Sequence, residues 1–149
     1  GAKKRLGHLA YVLAGLRALA GPGFRLVLEG DGTACRQRHA RAVVVGNCGE
    51  LTGGVALLPD AAVDDGALDV VVVSPRGIVG WSAVLFDILT RHHRGHPALQ
   101  RFTGASFTAR TAKPVEAEID GDVTGPRSRL AVRIQPRALR VRVPAPRTA

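Results

Sequence analysis

The sequence predicts a mainly β (α+β) fold, an antiparallel β-sandwich with one or two flanking helices. Four segments in the last third, Ser106 to Arg110, Val115 to Ile119, Leu130 to Ile134 and Leu139 to Val143, alternate apolar and polar residues with the period of a half-buried strand. Earlier, short valine-rich runs lie between Gly- and Asp-rich turns. Only two stretches repeat apolar residues at three- and four-residue steps. Many strands and few helices favour packed sheets. With 149 residues, 46% of them hydrophobic, the chain can bury one core, so residues 1–149 read as a single domain.

The elements follow in order. Leu6, Leu9, Ala10, Leu13 and Leu16 share one face of a helix expected over residues 3 to 20, which Gly21-Pro22-Gly23 stops. Phe24 to Glu29 alternates as a strand, and Gly30-Asp31-Gly32 turns it. Ala42 to Val45 is a short apolar strand ending at Gly46-Asn47. Leu68 to Val73, nearly all valine, suits burial on both faces. A long loop carrying glycines and aspartates joins these two. Gly77 to Arg91 reads as a helix with Trp81, Val84, Leu85, Ile88 and Leu89 on one stripe, interrupted by Asp87 and ended by His92 to Pro97.

The net charge of +9 and a pI near 11.2 favour acidic partners. Aromatics make up only 4%, and no RNP-like strand, zinc finger or basic helix occurs, so nucleic acid is not an expected partner. Arg127, Arg129, Arg133, Arg137, Arg140, Arg142 and Arg147 form a solvated strand face, or hold the chain to an anionic bilayer at about 1 kcal/mol per basic group. Cys35 and Cys48 lack metal or redox spacing and are expected to be reduced thiols. No apolar run approaches the roughly 20 residues of a membrane span, and no signal peptide is visible. With no methionine and a start at Gly1, the sequence reads as a piece of a longer protein.

Several motifs bear on chemistry. Asp60, Asp64, Asp65 and Asp69 fall within ten residues, and hard cations take carboxylate and carbonyl oxygens. Ile119-Asp120-Gly121-Asp122 is a hairpin turn by its Asp-Gly pair, or a site in which Asp122 accepts a proton or holds a metal-bound phosphate. Gly30-Asp31-Gly32-Thr33 is similar to a kinase phosphate loop, but Glu29 stands where a glycine belongs, and no amphipathic helix follows. It reads as a hairpin turn. His92, His93 and His96 lack zinc partners at firm spacing. There is no Gly-x4-Gly-Lys and no Gly-x-Ser-x-Gly.

In order and spacing these motifs resemble the C-terminal domain of the diacylglycerol kinase catalytic superfamily, which includes bacterial lipid kinases, sphingosine kinases and ceramide kinases. Lys4 to Tyr11 is similar to the helix leading into that domain. Val45-Gly46-Asn47, Gly53-Gly54, Pro59-Asp60-Ala61 and Asp65 to Val70 match its middle signature. Gly95-His96-Pro97, the Asp120-Gly121-Asp122 turn and Pro136 to Leu139 follow in its order.

The resemblance implies a lipid hydroxyl phosphorylated from ATP with Mg2+. It gives the base role to Asp122, where the family has Glu, with Asp120 beside it. Asp is one methylene shorter, so its carboxylate must approach the hydroxyl differently. Asn47, Gly53 and Gly54 fall on the cofactor side. Asp65, with the carbonyls of Ala62 and Ala67, falls on a structural Mg2+ site known in some members. The expected partners are a lipid substrate, an anionic membrane surface and an N-terminal nucleotide-binding domain of the same parent chain, which carries the family's phosphate loop and is not in this sequence. The expected location is cytoplasmic, peripheral at the inner membrane face. Without the nucleotide half the chain is expected to be inactive. The reading from a different class is a non-catalytic β-sandwich module that binds anionic lipid through its Arg-rich strands.

Overall fold

The computed structural model describes residues 22–49, 57–90 and 96–142. The expected helix over residues 3 to 20, Gly53, Gly54, His92 and His93 lie outside them. Among the described residues seven strands and one helix run in the order β1 (Phe24–Gly30), β2 (Thr33–Ala40), β3 (Ala42–Gly46), β4 (Leu68–Val73), α1 (Gly77–Thr90), β5 (Leu99–Gly104), β6 (Ser106–Ile119) and β7 (Asp122–Arg133). They form two antiparallel sheets, one ordered β2-β1-β6-β7 and the other β3-β4-β5. The sandwich with a flanking helix is the architecture the sequence predicts.

β4 is the middle layer. Val70 and Val72 pack with Leu26, Leu28, Cys35, Ala40 and Phe107 of the four-stranded sheet. Val71 and Val73 turn the other way, onto Leu57, Leu58, Ala98, Leu99 and Val84 of α1. Period-two alternation sends successive valines into two different cores. This is why the strand reads as an unbroken apolar run: it has no solvent face.

Polar staples join the layers. The Cys35 thiol on β2 and the Gln37 amide both donate to Gln100 Oε1 on β5, at 3.0 and 2.9 Å, and burial pushes the Cys35 thiol up from its ordinary pKa. Asp87, the polar interruption in α1, is buried and receives Arg101 Nη2 of β5 at 2.5 Å. Asp31, in the β1–β2 turn, accepts the amides of Ala105 and Ser106 and the Ser106 hydroxyl, so it pins the β5–β6 crossover. Cys35 is a free thiol, as expected.

The structure differs from the sequence reading at five places. Thr33–Ala40 and Leu99–Gly104 are strands that the alternation did not reveal. Ser106–Ile119 is one continuous strand, with Pro114 inside a register shift between Arg110 and Val115, where a missing ladder donor is tolerated. β7 begins at Asp122, well before Leu130. The strand expected over Leu139 to Val143 is absent through residue 142. Arg137 adopts a positive φ of 57° just after Pro136 and turns the chain off the β7 edge, leaving Leu139 and Val141 exposed.

Candidate functional site

The β6–β7 hairpin is the most prominent feature outside the core. β1 pairs with β6 only from Thr108 to Thr111. Beyond that the two strands run on as a two-stranded arm to Ile119 and Asp122. The tip is a two-residue turn with positive φ at both Asp120 (52°) and Gly121 (90°), the backbone pattern of a type I′ turn. Asp120, Asp122, Ile119 and Val123 are all exposed. The Asp-Gly pair therefore forms the hairpin that its local chemistry predicts, and the same hairpin presents Asp122 to solvent at its end. Neither aspartate makes a side-chain hydrogen bond among the described residues. Neither the cavity lined by Cys35 and Gln100 nor the one lined by Arg38 and Arg41 includes Asp122.

The glycine and aspartate loop occupies the opposite end of the sandwich. Gly46 pairs with Asp69, and Asn47 follows half-buried. A side chain at Gly49 would sit 3.2 Å from the Leu58 carbonyl oxygen and close to those of Pro59 and Ala61, so glycine lets two backbone segments cross. Asp65 is exposed, and its Oδ1 accepts the Ala67 amide at 2.8 Å, closing a turn in which Gly66 takes φ 76°. Asp60 and Asp64 are also exposed. Asp69 is buried and turned away, its Oδ1 receiving the Thr103 hydroxyl at 2.7 Å while its buried Oδ2 has no partner among the described residues.

The four aspartates thus do not converge. Among the described residues no group of three or more His, Cys, Asp or Glu is placed to hold a metal. What remains around Asp65 is one accessible carboxylate on a tight turn. A carboxylate beside loop carbonyls is the type of donor that a hydrated hard cation takes.

The strands also separate the two expected sites. Asp65 lies near the start of β4, beside Pro136, which follows β7, whereas Asp122 begins β7. Eleven residue steps of strand, about 36 Å, separate Arg133 from Asp122. A metal at Asp65 therefore does not act on a proton at Asp122. The cross-sheet partners Gln100, Arg101 and Thr103 were not legible as functional groups, because their partners Cys35, Asp87 and Asp69 are remote in sequence.

A two-sheet sandwich with a projecting acidic hairpin and a glycine-crossed loop at the other end defines a fold class, and comparison with known proteins identifies it. Residues 2–143 match the family model described as the YegS C-terminal NAD kinase beta sandwich-like domain, and the chain belongs to that family. Comparison with the curated proteins gave no match. Among solved structures it is similar to a diacylglycerol kinase from Bacillus anthracis str. Sterne, with TM-score 0.64, 25% identity, and coverage of 90% of this chain and 46% of that one. Two further structures from that organism, provisionally described as diacylglycerol kinases, give TM-scores of 0.67 and 0.64 at 23% identity. They cover 85% and 76% of this chain, and 43% and 37% of theirs. The chain spans less than half the length of each of these structures.

Proposed function

We propose that this chain is the lipid-side domain of an ATP-dependent lipid kinase and that Asp122 is its general base. The observation that supports this reading most is the free carboxylate of Asp122 at the tip of the projecting arm, in a member of a family whose solved neighbours are described as diacylglycerol kinases. In the reaction, Asp122 takes the proton of the lipid hydroxyl as its oxygen bonds to the γ-phosphorus of ATP. The bond from that phosphorus to the bridging oxygen breaks, and ADP leaves. Catalysis of this kind rests mainly on positioning and on charge stabilisation around the phosphates. Mg2+ bound with ATP supplies that stabilisation, and the N-terminal nucleotide-binding domain of the parent chain holds both. Asp65, with the Ala62 and Ala67 carbonyls, would hold a second, structural Mg2+. The apolar lipid substrate places the work at an anionic membrane surface.

The decisive experiment is Asp122→Asn in the full-length parent. Loss of a general base lowers kcat by about 10²–10⁴-fold, and near-normal turnover would refute the assignment. The isolated chain should give no turnover in a coupled ATP assay with lipid vesicles, and robust turnover would refute the need for the nucleotide half.

A further inference from the structure

Arg38, His39, Arg41 and Arg76 line a cavity of about 530 Å3 together with Pro75 and Gly77. It opens where β2 ends, where the chain crosses through Arg41 into β3, and where β4 gives way to α1. No carboxylate lines it. The ion pairs among the described residues, Arg101 with Asp87 and Arg110 with Glu29, use none of its cations. Arg41 Nε is buried without a hydrogen-bond partner. Three guanidinium groups held around one space, with no acid among them, repel one another unless an anion enters, and their planar donors match phosphate oxygens. The first turn of α1 has no acidic side chain and adds backbone donors nearby.

Directly after Arg76 and Gly77, Ile78 and Val79 are 86% and 78% exposed. A cationic cavity beside bare aliphatic side chains matches a phospholipid surface, which offers phosphate at the headgroup and hydrocarbon just below it. We propose that this face docks the protein on a bilayer, with the phosphate of an anionic phospholipid seated among Arg38, Arg41 and Arg76 while Ile78 and Val79 enter the interface. The proposal rests on the lipid-surface reading above and names the face that performs it.

That face is not the arginine row of β7. Arg129 stands opposite Arg110, Arg127 donates to the Thr124 carbonyl, and Arg133 lies at the far end of the strand. Those cations are spread along β7, whereas the cavity gathers its own at one point. Phe24 pairs with Ala40 and Leu26 with Thr111, so the cavity and the Asp122 arm leave the sandwich at the same end. A membrane held there faces the end from which the proposed base projects.

The test is co-sedimentation of this chain with vesicles of phosphatidylcholine alone and of phosphatidylcholine with phosphatidylglycerol. The triple variant Arg38→Gln, Arg41→Gln, Arg76→Gln should bind the anionic vesicles about 100-fold more weakly, and Arg127→Gln, Arg129→Gln, Arg133→Gln within about twofold of the unsubstituted chain. Ile78→Ser with Val79→Ser should weaken binding while keeping its salt dependence. Lysine at positions 38, 41 and 76 keeps the charge and should keep binding within about fivefold, which separates lost charge from a lost fold. Equal losses in the two glutamine triples would overturn this face but keep the lipid-surface reading. Failure of the unsubstituted chain to bind anionic vesicles would overturn both. Displacement by inorganic phosphate beyond that by chloride at equal ionic strength would mark a soluble-anion site instead and overturn the membrane assignment.

Discussion

The molecule makes the same hairpin turn twice, and the two copies have opposite surroundings. Asp31-Gly32 and Asp120-Gly121 each place positive φ on both central residues. Asp31 is held by two backbone amides and a hydroxyl from the β5–β6 crossover. Asp120 holds nothing among the described residues, and its hairpin stands clear of the core. One turn is a clamp that closes the sandwich. The other is a free end that carries the candidate base. An identical local signal therefore separates into structure and function only through what the rest of the fold brings against it.

The sharpest way to break this contrast is to add a methyl group at each turn. A Cβ at Gly30 would lie 2.2 Å from the Ser106 carbonyl oxygen and 2.5 Å from Phe107 Cδ1. Backbone cannot yield as a side-chain tip can, so Gly30→Ala should cost about 3 kcal/mol of unfolding free energy. Denaturant melts measure this, and an unchanged midpoint would show that the close approach of β1 to β6 is not needed. At Gly121 a Cβ meets nothing within 4 Å, but φ is 90°. Gly121→Ala should therefore cost about 1–2 kcal/mol through the backbone alone. The cost should be local: hydrogen exchange should rise in the arm while the β4 amides stay protected. Equal loosening of both regions would mean that the arm folds as part of the core.

How much of this was legible in the sequence follows the same division. Strands with one dry and one wet face, such as Phe24–Gly30, and the doubly buried Leu68–Val73, announce themselves by pattern. β5 hides because Gln100, Arg101 and Thr103 are polar yet engaged, each by a residue at least fourteen positions away. β2 hides because it is an edge strand, where Arg36, Arg38 and His39 stay in water and leave little alternation. The Asp-Gly motifs gave both turns, but neither the clamp at Asp31 nor the length of the Asp122 arm. The aspartate cluster suggested convergence that the register of β4 denies, since Asp69 is carried to the far side of its strand. The Arg38, Arg41 and Arg76 cavity had no sequence signal, because it joins residues from three elements.

The smallest expected effect is a pH dependence that only the clamped turn should show. The amide of Ser106, then that of Ala105, favour the ionised form of Asp31 and lower its pKa from the ordinary 3.8. A carboxylate whose folded pKa is depressed contributes its stability fully above the unfolded pKa, and that contribution fades as pH falls through the folded value. Stability should therefore slope downward below about pH 4, and Asp31→Asn should flatten part of that slope while lowering stability at neutral pH. The carboxylate is open to solvent, so salt and water weaken the effect. Asp120→Asn should leave stability where it was, because its side chain holds no partner among the described residues. Thermal melts across pH 2.5–7 for both variants would settle the comparison. If Asp120→Asn flattens the acid limb as much as Asp31→Asn does, the two turns are equivalent, and the arm is anchored by contacts of its own.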